Sequence, residues 1–132
     1  MLGMIFPLKM IGWKKELEGL NVEIKKITPN ELEEQLKNEK PFVLDVRADE
    51  KFQEYHVDNS YNIHKSAIFD NQEDVISTLP KDREIIVTCT TGNSAAKCAK
   101  ILAEKNYHVA LLEGGITAWK EYKEQKGEEK HE

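Results

Sequence analysis

Cysteine is scarce in this sequence: Cys89 and Cys98 are the only two in 132 residues. Two thiols do not make a disulfide framework, and such sparse usage fits a reducing, cytoplasmic setting in which a conspicuous cysteine is catalytic or inert rather than bridged. Long apolar runs are missing as well. The most apolar stretch, MLGMIFPLKMIGW at the start, is broken by Pro7, Lys9 and two glycines. It falls short of the ~20 residues that a spanning helix needs. It also lacks the basic leader and small-residue cleavage site of a signal peptide. Its expected role is an extension over residues 1–21 that packs on the domain or on a second copy, with weak contact to a membrane surface or partner as the other reading. Positive charge is not in excess: 19 Lys and Arg stand against 24 Asp and Glu, for a net charge of −5. That balance suits a soluble surface and gives no basic stripe for nucleic acid. Repeats, low-complexity tracts and linkers are absent between residues 22 and 122. One domain over residues 22–125 is therefore expected, followed by a charged tail over 126–132. A chain of this size buries roughly two-thirds of its unfolded surface and needs no metal or disulfide staple.

What the sequence does contain is an alternation of two periods. Val22 to Ile27 alternates apolar and polar residues, as a strand does. Thr28, Pro29 and Glu31 then supply a cap, a first-turn proline and a capping box for a helix that ends near Asn38. Pro41 to Arg47 (PFVLDVR) is a short apolar run that ends in charge, the pattern of a buried parallel strand reaching a functional edge. A short helix over 49–55, a brief strand over 61–63 and a helix over 72–79 follow. Glu84 to Cys89 is a second buried strand. Residues 93–105 form the clearest helix, with Ala95, Cys98, Ala99 and Leu102 along one face. A last strand over 108–112 leads through Gly114-Gly115 into a helix that carries Trp119 and Tyr122 and runs to Gly127. This order implies an α/β fold with a mostly parallel sheet and helices on both faces.

The chemistry concentrates in VTCTTGNSA, residues 87–95. A buried strand ends at Cys89, a polar loop with one glycine follows, and a helix begins. In open α/β sheets, sites form beyond the carboxyl ends of the strands. Loop amides and a helix N-terminus together make a concave anion site, and such a field favours thiolate over thiol. Gly92 allows the tight curl that a loop wrapping its own cysteine needs. Thr90, Thr91, Asn93 and Ser94 add side-chain donors, and Ala95 closes the loop. The arrangement suits attack by the Cys89 thiolate on the outer sulfur of a donor such as thiosulfate, giving a persulfide that passes its sulfur on. The plainer reading of Cys89, a small hydrophobe ending a core strand, does not account for the loop and helix start that follow it. Cys98 lies in the apolar helix stripe and reads as structural. A Cys89–Cys98 bridge would tie a strand end to a helix interior and is not expected.

Asp45 and Arg47 end the neighbouring strand, either at the rim of the pocket or as a structural ion pair of Arg47 with Glu50 or Glu113. His64, His108 and His131 show no metal-ligand spacing with the cysteines, and no metal or cofactor is expected. Trp119 reads as a core anchor.

Four segments in order carry a family resemblance: Leu44-Asp-Val-Arg47; Phe52-Gln-Glu-Tyr-His56-Val with Asn62-Ile63; Cys89-Thr-Thr-Gly-Asn-Ser94; and Leu112-Glu-Gly-Gly-Ile-Thr-Ala-Trp119. The chain resembles the single-domain rhodanese-like sulfurtransferases over about residues 22–122. The resemblance implies a rhodanese-like three-layer α/β/α fold with a mostly parallel five-stranded sheet. It implies a catalytic cysteine at Cys89, a loop from Cys89 to Ser94 whose amides cradle the sulfur, and a structural, hydrogen-bonding His56. The implied partners are a small sulfur-containing anion or persulfide as donor, a thiol or cyanide-like acceptor, and a sulfur-relay protein. The alternative is a relay or non-catalytic protein-binding module of the same fold. Two departures stand out. Many members carry arginines where this loop has Thr90 and Ser94, so the loop has no fixed positive charge and a persulfide donor gains weight over a dianion. The usual Gly-Ala after the His56 segment is Asn59-Ser60, a turn change. Related phosphatases and arsenate reductases place an arginine six residues after the cysteine. Here that position is Ala95, which argues against phosphoryl chemistry.

Overall fold

A computed structural model describes residues 23–39 and 41–131. Five strands form one sheet: β1 (Lys25–Ile27), β2 (Phe42–Asp45), β3 (Tyr61–Asn62), β4 (Ile85–Thr88) and β5 (Val109–Leu112). The order across the sheet is β1-β5-β4-β2-β3, and every pairing is parallel. Six helices connect and cover it: α1 (Pro29–Asn38), α2 (Asp49–Glu54), α3 (Lys65–Phe69), α4 (Glu73–Ile76), α5 (Asn93–Glu104) and α6 (Gly115–His131). The expected N-terminal extension lies outside the described residues, as does Val22 of the first expected strand.

β4 holds the centre because all four of its residues are buried. Its alternating side chains feed two cores. Ile85 and Val87 join Ile68, Ala95, Cys98, Ala99 and Leu102 on the face covered by α3, α4 and α5. Ile86 joins Leu32, Ile116 and Trp119 on the face covered by α1 and α6. A strand buried on both faces reads as a continuous apolar run, which is how IIV appears in the sequence. Ala95, Cys98 and Ala99 of α5 are fully buried, so that helix lies close against the sheet.

Local signals fix the element ends. Thr28 Oγ1 accepts the Glu31 N–H at 3.1 Å, and Glu31 Oε1 accepts the Thr28 N–H at 2.8 Å, a complete capping box on α1. The helix expected over 72–79 is shorter, because the hydroxyls of Ser77 and Thr78 donate back to the Asp74 and Val75 carbonyls and compete with its continuation. An additional helix, α3, precedes it. Asn71, at φ 56°, separates the two, and the N-cap of α3 is His64, whose Nδ1 accepts the Ser66 N–H. α6 continues past Gly127 to His131. A glycine costs only about 1 kcal/mol within a helix, and the glutamates and lysines around it favour helix.

Trp119 is buried with Ile27, Leu32 and Ile116. A second polar cluster joins α1 to α6. The buried Glu33 carboxylate accepts hydrogen bonds from Tyr122 Oη (2.5 Å), Lys126 Nζ (2.8 Å) and Lys123 Nζ (2.9 Å). These donors, Lys126 foremost, hold its carboxyl down at about 2.

Candidate functional site

The Cys89 loop leaves the C-terminal end of β4 and runs straight into α5. Cys89 is buried, and its sulfur accepts two backbone N–H groups, from Gly92 at 3.0 Å and from Ala95 at 3.4 Å. Both donors put positive partial charge beside the sulfur, next to the N-terminus of a twelve-residue helix. Such donors stabilise an anionic sulfur more than a neutral one. Gly92 adopts φ 113°, although a Cβ there would meet nothing within 4 Å. The glycine serves the backbone angle rather than the available space.

A second contact anchors the start of the loop. The first N–H groups of α6 reach the loop from the other side: Ile116 donates to the Cys89 carbonyl at 2.8 Å, and Thr117 to the Thr90 carbonyl at 3.0 Å. These two bonds hold the carbonyls of the first two loop residues, and the N–H groups on the sulfur come from further along, at Gly92 and Ala95. Gly115 makes this approach possible. Its φ is 64°, and a Cβ would lie 2.5 Å from the Cys89 carbonyl oxygen and 2.6 Å from that of Thr90. The Gly114-Gly115 pair that the sequence marks as a turn is therefore also a clamp on the loop.

Beside the sulfur opens a cavity of about 350 Å³. Cys89, Thr90, Thr91, Asn93 and Ser94 line one side; Val46, Arg47, Ala48, His64 and Lys65 line the other. Gly92 and Ala95 contribute through their amides. Arg47 does lie at this rim, but Asp45 does not. It is 0 % exposed and spans the Arg47 guanidinium, with Nε at 3.0 Å and Nη2 at 2.8 Å, while Nη2 also donates to the Tyr55 carbonyl at 2.6 Å. The partner of Arg47 is thus Asp45 and not Glu50 or Glu113. Residues two apart along an extended chain project to the same side, and that brings the two together. His56 makes a local bond, its Nδ1 lying 2.7 Å from the Phe52 carbonyl oxygen while its ring stacks on Phe52.

Cys98 is shut away. It is fully buried, and burial pushes its thiol up to about 12, helped by the neighbouring Cys89. Both cysteines are free thiols. A larger cleft, about 760 Å³, lies elsewhere, among Glu33, Tyr55, His56, Trp119 and Lys123. It holds no thiol, so its size does not make it the reactive site.

Sequence reasoning missed His64 and Lys65 as lining residues. Lys65, the first residue of α3, donates from Nζ to Ser94 Oγ at 3.3 Å. The signal was only their place directly after the third strand. Reading it required the strand order, which sets β3 beside β2 and β2 beside β4.

Comparison with known proteins follows the same lines. The profile of the rhodanese-like domain matches residues 28–122. YtwF of Bacillus subtilis (strain 168) is 31% identical over 99 residues, covering 74% of this chain and 92% of its own length. The thiosulfate sulfurtransferase GlpE of Ectopseudomonas mendocina (strain ymp) is 29% identical over 99 residues, covering 74% and 86%. Among solved structures, a rhodanese-related protein from Thermoplasma volcanium superposes with a TM-score of 0.66 at 28% identity, covering 74% of this chain and 92% of that one.

Proposed function

The chain belongs to the rhodanese-like domain family, and on that premise we propose that it is a sulfurtransferase whose Cys89 carries a sulfane sulfur as a persulfide. The observation that carries the reading is the pair of N–H groups on Cys89 Sγ at the mouth of a small cavity. With thiosulfate as donor, the Cys89 thiolate attacks the outer sulfur. A new S–S bond forms at Cys89, the S–S bond of thiosulfate breaks, and sulfite leaves with that electron pair. With a persulfide donor the leaving group is a thiolate. An acceptor nucleophile, a thiolate or cyanide, then attacks the outer sulfur and returns Cys89 to its thiolate.

The chain's own residues contribute position and charge. The Gly92 and Ala95 amides hold negative charge on sulfur without reorganising. The α6 clamp holds the carbonyls of Cys89 and Thr90, which lead into those amides. Thr90, Thr91 and Asn93 are exposed at the mouth, where an acceptor arrives. No helix among the described residues is long and apolar enough to cross a membrane, and sparse thiol usage favours a cytoplasmic setting for the reaction.

Purified protein incubated with thiosulfate and cyanide is expected to yield thiocyanate. Mass spectrometry should find a gain of one sulfur atom on the Cys89 peptide. No turnover with thiosulfate, together with no sulfur on Cys89 from any donor, would sink the proposal.

A further inference from the structure

The Cys89 loop carries no charged side chain of its own, since residues 90–94 are Thr, Thr, Gly, Asn and Ser. The cavity wall opposite supplies the charge instead. Two fixed cations line that wall, Arg47 and Lys65. Arg47 is committed, because its guanidinium is held by the buried Asp45 carboxylate and the Tyr55 carbonyl. Lys65 is different. Its Nζ meets only a neutral hydroxyl, Ser94 Oγ at 3.3 Å, and among the described residues no carboxylate pairs with it. An ammonium has three N–H donors, so two remain to face the cavity.

The position of Lys65 is built rather than incidental. Its backbone N–H donates to the Val46 carbonyl at 3.0 Å, and that of Ile63 to the Asp45 carbonyl at 3.1 Å. The Asn62 side chain donates to the carbonyls of both Asp45 and Arg47, each at 3.0 Å. The segment after β3 is thereby stitched to the end of β2, and Lys65 leans across to the loop. Its charge also reaches the region behind the loop, where it opposes the upward push on the Cys98 thiol.

We propose that Lys65 is the donor-binding cation of this site, and that it selects sulfur donors whose leaving group is an oxyanion of sulfur, as in thiosulfate and organic thiosulfonates. This rests on the sulfurtransferase reading of Cys89. The ammonium binds oxygens of the donor and keeps hold of them as the S–S bond breaks and sulfite or sulfinate departs with the electron pair. No proton is transferred. The uncharged loop is thus complemented from the start of α3, and a dianion fits the site better than the loop sequence alone suggests.

The test pairs two variants with two donors. Lys65→Gln removes the charge while keeping a polar side chain, one bond shorter, and Lys65→Arg keeps the charge. With thiosulfate, Lys65→Gln is expected to raise KM by about tenfold, the scale of one charge-assisted hydrogen bond, and Lys65→Arg to recover most of it. With the persulfide of an uncharged thiol, both variants should load Cys89 as wild type does. Unchanged KM for thiosulfate in Lys65→Gln would overturn the proposal, and so would an equal loss with both donors, which marks a structural role. Sulfite binding to Cys89→Ser protein, measured by calorimetry, reads the cation without turnover. Binding that Lys65→Gln weakens supports the assignment even if wild-type protein never loads sulfur. Binding that is absent, or unaltered by Lys65→Gln, overturns it. The sulfurtransferase reading itself fails only if wild-type Cys89 takes sulfur from neither donor.

Discussion

Cys89 and Cys98 stand nine residues apart on one strand-loop-helix unit. Cys89 ends a strand, with two amide N–H groups on its sulfur and a cavity of about 350 Å³ beside it. Cys98 lies in the second turn of α5, packed with Ala95, Ala99 and Leu102 against the sheet, its thiol pushed up to about 12. Both are buried, so burial does not separate them. What separates them is the polar surroundings of one sulfur and the apolar surroundings of the other. A thiol desolvated without donors is inert; a thiol desolvated against oriented amides is set up to hold negative charge.

The strongest test of this contrast exchanges each thiol for a hydroxyl. Cys89→Ser is expected to abolish sulfur loading completely while the fold persists. Iodoacetamide at neutral pH should label Cys89 alone in folded protein, and both cysteines after denaturation. Labelling of Cys98 at a comparable rate in the native state would break the contrast. Next in size, Gly115→Ala places a Cβ against the carbonyls of Cys89 and Thr90 and forces alanine to φ 64°. Loss of the amide arrangement should lower sulfur transfer by about 100-fold, the scale of one lost oxyanion donor, with a stability cost of about 3 kcal/mol readable by urea denaturation. A variant that keeps full activity would show that the clamp does not set the loop. Cys98→Ser should cost about 2 kcal/mol by burying a hydroxyl among apolar side chains, yet leave sulfur loading intact.

The smallest effect lies far from both thiols, at Glu33. Its carboxyl titrates at about 2 in the fold against an ordinary 4.5. The ionised form is therefore favoured by folding, and the stability it contributes is full above pH 4.5 and lost as pH falls towards 2. Because Lys123 and Lys126 are 44% and 39% exposed at the side chain, solvent screening limits the contribution to about 1 kcal/mol. Glu33→Gln should remove that dependence between pH 5 and 2 in denaturation curves, without changing Cys89 labelling at neutral pH. A change in labelling would mean that the two regions are coupled.

Much of the site was readable in the sequence because it is local. One continuous segment holds the β4 run, Cys89, Gly92 and the start of α5, so periodicity and turn chemistry suffice there. The capping box on α1 is local too. The Asp45–Arg47 pair had a local signal that went unread: an acid and a base two residues apart where β2 ends lie within reach of each other. Lys65 had none of that kind. Its approach to Ser94 joins residues 29 apart and depends on β3 lying at the far side of β2, which no spacing in the chain reveals. Helix α3 was missed because its N-cap is a histidine, which leaves a weak mark in a sequence.

The edge formed by β1 has a consequence for how the chain folds and breathes. Lys25 pairs with Ala110, about 85 residues away, whereas Leu44 pairs with Val87, about 43 away. Closing the longer loop costs about 0.6 kcal/mol more chain entropy, and only Ile27 of β1 is buried in return. That margin is small, but little burial offsets it. The Ile27 carbonyl also accepts the Glu113 N–H at 2.8 Å, just ahead of the glycines that clamp the Cys89 loop. Fraying of this edge therefore loosens the mooring of the clamp first. Amide hydrogen exchange should be faster at Glu113 than at Val87, and equal protection at the two would mean that the edge and the centre open together.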